Sequence, residues 1–422
     1  MDGVSRRGFL AASALSVPLL TAAPAVAQPG GDGRRGVQTG ADRLAANGFR
    51  QLAGRKVGVV TNPTGVLSDG LGHLVDTMVA SGAVNLVGVF GPEHGFRGTA
   101  QAGGSEGEYD DPRTGVRVYD AYGANAEKLA GMYRKAGVEV VVFDIADAGV
   151  RFYTYMWMLY TAMHAAVLTG AAVLVLDRPN PIGGQAHGPM LDPKHASGVG
   201  RKPVVLRHGM TMGELARFYN TEFLPQETGK RVEQLDVVTL RNWRREMYFA
   251  DTGLTWVPPS PNMPTPDTAL VYPGTCLFEG TLLSEGRGTT RPFETIGLPK
   301  LDWKWAERLS SLGLRGVLFR ENYFVPTFNK HVNVNCGGVQ LVVTDPAAFD
   351  PIRTGVAMIV EAKRLYPALF GWRPDNFIHK LWGTERLKDM VDAGAGTEEV
   401  VATYREEQAA FRRQRAPYLL YR

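Results

Sequence analysis

The chain has 422 residues, 44% hydrophobic and 21% charged, with 46 basic against 42 acidic side chains. That balance excludes a mainly disordered chain, and a net charge of +4 gives no footing for nucleic-acid binding. Two cysteines exclude a disulfide scaffold, and the length is enough for two domains.

Residues 1–27 read as a signal peptide of the twin-arginine type. The run Ser5-Arg6-Arg7-Gly8-Phe9-Leu10 resembles that signal, and Ala25-Val26-Ala27 is an A-x-A cleavage site. The expected location is therefore outside the cytoplasmic membrane, periplasmic or extracellular. Residues 28–40 read as a flexible, Gly-rich leader. No later apolar run approaches the roughly 20 residues of a membrane span.

From there apolar runs alternate with amphipathic ones. Strands are expected at residues 56–61, 84–90, 138–145, 172–177 and 235–240. Helices are expected at 71–81, 125–136, 154–168 and 211–220. This alternation predicts an α/β fold with a parallel sheet covered on both faces. Residues 256–266 hold five prolines and read as the connector that closes a first domain, 41–266. The second domain, 267–422, reads as α+β. It has a Gly-rich loop region at 280–297, a strand at 338–344, and helices near 346–365 and 397–413.

In an open parallel sheet, ligands bind beyond the carboxyl ends of the strands. The loops there are 62–65, 91–98, 144–151 and 177–184, all dense in polar side chains. Glu93 sits in a turn bracketed by Gly91, Pro92 and Gly95 and is the leading catalytic candidate. Asp147 is the second, on the reading that it faces the cleft while Asp144 holds the loop. Arg151 either binds an anionic substrate or pairs with one of these aspartates. His94, Arg97, Asp144, Arg151, Tyr153, Asn180, Asn262, Glu279, Glu285 and Arg287 complete the substrate-binding candidates. The aromatic run 152–160 reads as core except for Tyr153.

There is no GxGxxG after the first strand, no phosphate-binding loop, no HExxH and no GxSxG. The histidines show no metal-ligand spacing, so neither metal nor cofactor is expected. Carboxylate chemistry in an exported protein points to glycoside hydrolysis.

The motifs GVVTNPTGV, FGPEHGFRG, FDIADAGVRFYTY, LDRPNPIGG, WVPPSPNMPT, FEGTLLSEGRGTTRPFE and KLWGTERLKDM resemble the exo-β-N-acetylmuramidase (NamZ-type) family from about Arg43 to the C-terminus. The resemblance implies a Rossmann-like N-terminal domain, a smaller C-terminal domain and a site in the cleft between them. It implies release of N-acetylmuramic acid from the non-reducing end of peptidoglycan fragments, in cell-wall turnover. Glu93 then becomes the general acid, and Asp144 and Asp147 map to the same cleft. Arg97, Arg151 and Arg287 are candidates to read the lactyl carboxylate of muramic acid. The chain departs from the family pattern at Ala146, where Gln is usual, and at Leu282, where Asn is frequent. The alternatives are another exported exo-glycosidase, an esterase, or a non-catalytic muropeptide-binding protein.

Overall fold

The structure is a computed structural model that describes residues 36–422. The expected signal peptide and the expected leader up to residue 35 lie outside the described residues. Six strands of the first half enter in chain order: β1 (Lys56–Thr61), β2 (Asn85–Gly91), β3 (Tyr109–Asp110), β4 (Arg117–Asp120), β5 (Val140–Asp144) and β6 (Ala172–Leu176). Next, β7 (His187–Met190) and β8 (Val205–Arg207) form a separate antiparallel arm. Strand β9 (Leu235–Val238) returns to the main sheet.

The main sheet runs β3-β4-β2-β1-β5-β6-β9. All its pairings are parallel except β3 with β4. Without the short edge strand β3, this is the doubly wound order, with the chain reversing direction across the sheet between β1 and β5. β5 and β6 are buried at every position because helices cover both faces. The helix Thr154–Thr169 is buried almost all round, so its aromatic run is core. The helix Met212–Glu222 begins in a capping box between Thr211 and Glu214.

Local chemistry explains where the elements differ from expectation. Residues 36–40 do not behave as a flexible leader. The Val37 and Gln38 N–H groups donate to the Thr252 and Arg241 carbonyls, and Gly40 opens a helix capped by Thr39. The β3–β4 hairpin and the β7–β8 arm are too short to show an alternating pattern. The last proline of the connector, Pro266, is the first residue of the helix Pro266–Thr275, a position that needs no N–H donor.

In the second half, β10 (Thr295–Leu298), β11 (Val317–Phe324) and β12 (Cys336–Val343) form an antiparallel sheet ordered β10-β12-β11. The expected helix at 397–413 is two, Thr397–Ala402 and Arg405–Arg415, with Tyr404 outside helical geometry between them. Cys276 and Cys336 are both free and buried. One contiguous apolar core joins the two halves, from Phe143 and Trp157 to Trp305 and Trp382. The C-terminal segment then crosses back onto the first half. There the Arg415 guanidinium donates to the His208 and Gly184 carbonyls, and the Tyr421 hydroxyl donates to Asp177. Among the described residues, no helix is long and apolar enough to cross a membrane.

Candidate active site

The loop after β2 is folded by its own carboxylate. Glu106 accepts the Arg97 and Thr99 N–H groups and the Tyr109 hydroxyl. Gly95 lies against it with φ of 84°, and a Cβ there would fall 2.2 Å from the Glu106 side chain. The resulting turn holds Glu93. Its Oε1 accepts the Gly103 N–H at 2.9 Å and its Oε2 accepts the Thr154 hydroxyl at 2.8 Å. One donor on each oxygen leaves each a further lone pair.

Glu93 lines a cavity of about 140 Å³ together with His94, Tyr153, Glu279 and Arg287. Five of the expected site residues, from three distant parts of the chain, therefore meet in one place. His94 donates from Nδ1 to the Ala100 carbonyl at 3.0 Å, since a carbonyl can only accept. Nε2 is then the ring's acceptor in the neutral form. Arg287 bonds Glu279 at 2.6 Å and Glu285 at 3.2 Å, and packs over Phe293. Glu285 is buried and also bonds Lys330 and Asn329. Burial pushes the Glu279 carboxyl up against the pull of Arg287, and Glu285 adds to the rise.

The remaining expected residues are committed elsewhere. Asp144 is wholly buried, and Arg178 grips both its oxygens at 2.6 and 2.9 Å. It is an internal ion pair, not a substrate contact. Arg97 pairs with Asp76 and Asp111 and lies over Phe96. Arg151 is wholly buried and donates to the carbonyls of Pro189, Val204 and Leu381 at 2.7–2.9 Å. It ties the β7–β8 arm to the C-terminal half, and burial pushes its guanidinium down to about 9. It pairs with neither aspartate of its loop. Asn180 closes its own turn through the Ile182 N–H and the Met210 carbonyl. Gly149, with φ of 81°, lets the β5 loop close on it, because a Cβ would fall 2.4 Å from Asn180 Oδ1.

Asp147 is 6% exposed and lies outside the Glu93 cavity. Its Oδ2 accepts the Gly149 N–H at 2.8 Å and His208 Nε2 at 3.1 Å. It borders a second, smaller pocket where the loops after β1 and β5 part. Asn262 is buried, its N–H on the Ser260 hydroxyl.

Thr154, Tyr155 and His208 are site residues that sequence reasoning missed. The Tyr155 hydroxyl donates to the Pro259 carbonyl at 2.6 Å and lies 3.4 Å from the Glu93 carbonyl. Thr154 opens a helix directly after a polar loop, a visible signal. His208 stands in the run His208-Gly209-Met210 ahead of the helix Met212–Glu222, but nothing local ties it to Asp147.

Comparison with known proteins accords with this architecture. Residues 57–267 match the family model of the N-terminal domain of exo-β-N-acetylmuramidase NamZ, and residues 270–421 match that of its C-terminal domain. The chain is 44% identical over 387 residues to the peptidoglycan β-N-acetylmuramidase NamZ of Bacillus subtilis (strain 168), covering 91% of each chain. Two crystal structures of DUF1343 family proteins from Bacteroides fragilis NCTC 9343 are similar. One has a TM-score of 0.82 at 31% identity, over 92% of this chain and 100% of that one. The other has a TM-score of 0.74 at 30% identity, over 92% and 99%.

Proposed function

The chain belongs to the exo-β-N-acetylmuramidase NamZ family and is a glycoside hydrolase, and from that premise we propose that it releases N-acetylmuramic acid from the non-reducing end of peptidoglycan fragments. The observation that carries the proposal is the meeting of Glu93 with Arg287 and Glu279 in one cavity. Hydrolysis of a glycosidic bond needs a group that protonates the leaving oxygen. Glu93 takes that role, oriented by Gly103 and Thr154.

Muramic acid differs from glucosamine by a lactyl carboxylate. Of Arg97, Arg151 and Arg287, Arg287 is the one that lines the cavity, and a planar guanidinium suits a carboxylate. Arg287 and Lys330 already face Glu279 and Glu285. A third carboxylate enters more easily if one of these two takes up a proton. Glu279, raised by burial, is the group placed to do so.

The wider reading is that the protein is exported by the twin-arginine route and serves cell-wall turnover. Support for the route lies in Arg6-Arg7 and the Ala25-Val26-Ala27 site. Replacing both arginines with lysine should keep the precursor inside the cell.

A release assay tests the activity. The purified protein is mixed with the disaccharide MurNAc-GlcNAc and, separately, with GlcNAc-MurNAc, and products are followed by mass spectrometry. Free MurNAc from the first alone is expected. Cleavage of the second alone would overturn the non-reducing-end specificity. Binding of both without cleavage of either would favour a muropeptide-binding protein.

A further inference from the structure

We propose that the small pocket beside Asp147 receives the 2-acetamido group of the sugar whose glycosidic bond is cut. This rests on the glycosidase reading above and gives Asp147 a positioning role in place of a catalytic one. Asp147 is anchored through one oxygen only. Oδ2 accepts from Gly149 N–H and from His208. His208 is itself wholly buried, and its Nδ1 accepts the Met210 N–H at 3.2 Å. The ring proton is therefore on Nε2 and points at Asp147. Oδ1, by contrast, is buried with no hydrogen-bond partner among the described residues. A buried carboxylate oxygen without a protein donor takes one from a ligand or an ordered water.

Asp147 borders a pocket of about 50 Å³ whose walls include Val66, Ala146, Trp256, Val257 and Pro259. An apolar cavity of about 150 Å³ takes a benzene ring. This one has room for a methyl group. Trp256 is a fixed wall, because its indole N–H donates to the Met263 carbonyl at 3.1 Å and Phe249 meets it edge-on at 4.8 Å. The pocket is also lined by Thr64 and Arg178, and a carboxylate at the border of a small, mostly apolar space complements an acetamide, which offers one N–H and one methyl.

The placement suits the reaction. The Tyr155 hydroxyl bridges from Pro259, a wall of this pocket, to the main chain of Glu93. A sugar with its C1–O bond at Glu93 carries its C2 substituent on the adjacent carbon, and the consecutive residues Pro259 and Ser260 line this pocket and the Glu93 cavity respectively. The pocket also lies between the loops that follow β1 and β5, the expected ligand crevice of a doubly wound sheet.

The test is kcat/KM on matched muramic acid glycosides carrying N-acetyl, N-propionyl and N-butyryl groups. The wild-type protein should prefer acetyl over butyryl by about tenfold or more, the usual discrimination of a snug apolar pocket. Trp256→Ala should narrow that ratio by about tenfold. Should Trp256→Ala fail to fold, Val257→Ala should narrow the acetyl-to-propionyl ratio instead. Equal rates on all three acyl groups, or an acyl preference untouched in the folded variants, would overturn the proposal. If the wild-type protein cleaves none of the three, the proposed release of N-acetylmuramic acid fails separately. The pocket is then judged by calorimetric titration with N-acetyl- and N-butyrylmuramic acid. A preference for acetyl that the enlarging variant removes supports it, and equal affinities reject it.

Discussion

The loop after β2 presents Glu93 to a cavity, whereas the loop after β5 carries two aspartates and an arginine and turns nearly all of that charge inward. Asp144 is gripped by Arg178, and Arg151 is wrapped in three main-chain carbonyls. Each has lost its water and found matching partners inside the fold, as a buried charge requires. Glu93 is held by two neutral donors, which orient it without neutralising it. Charge density beyond a strand thus marks the edge where a site can form. Whether a given side chain serves that site depends on what the fold already provides for it.

Substitutions can break this contrast. Glu93→Gln should lower kcat by about 10²–10⁴, the usual worth of a general acid, and leave the urea midpoint unchanged. Loss of stability with activity retained would reverse the assignment. Asp144→Ala should do the opposite. Removing one partner of a buried pair strands Arg178 and should cost about 3–5 kcal/mol of unfolding free energy. Arg151→Ala takes its donor from the buried Pro189 and Leu381 carbonyls at about 1–3 kcal/mol each, while the Val204 carbonyl keeps the Leu191 N–H, so equilibrium unfolding should again report the loss. Either variant folding at wild-type stability but failing to bind substrate would restore the residue to the site. Arg287→Lys should reduce the preference for muramic over glucosamine substrates by about tenfold, the worth of a charge-assisted hydrogen bond, as read from kcat/KM on matched disaccharides.

The same contrast explains what the sequence made legible. Strands β1, β2, β5 and β6 are visible as apolar runs because both faces of the sheet are covered, and the four loops beyond them follow from the parallel order. Strands β3 and β4 at one end of the sheet and the arm β7–β8 are each four residues or fewer, so no alternating pattern announces them, although β8 is buried throughout. Within the site, Arg151 and Arg287 look alike as letters. They part because Arg151 meets Leu381 across 230 residues, and no local pattern encodes that contact. Likewise, Asp147 and His208 are 61 residues apart and become partners only when the β5 loop and the start of the helix Met212–Glu222 converge. Glu93 was identifiable because the glycines and proline of its turn are local.

A third carboxylate, Asp177 at the end of β6, sharpens the comparison through pH. It is wholly buried beside Glu214 and accepts from Thr211 Oγ1, the Arg178 and Gly213 N–H groups and the Tyr421 hydroxyl, with no cationic side chain in an ion pair with it among the described residues. Burial is the main cause that pushes its carboxyl up to about 7, from 3.8. Between those two values the folded state holds a proton that the unfolded chain has released. This contribution to stability is therefore fully present below the unfolded value and is lost as pH rises through about 7. The expected slope is at most about 1.4 kcal/mol per pH unit between pH 5 and 7. Asp177→Asn keeps the shape and cannot ionise, so urea unfolding of this variant should lose that slope. Asp144, with Arg178 on both oxygens, has the compensating cation that Asp177 lacks. If the slope persisted in Asp177→Asn, the burial of an unpaired carboxyl at this position would not be its source.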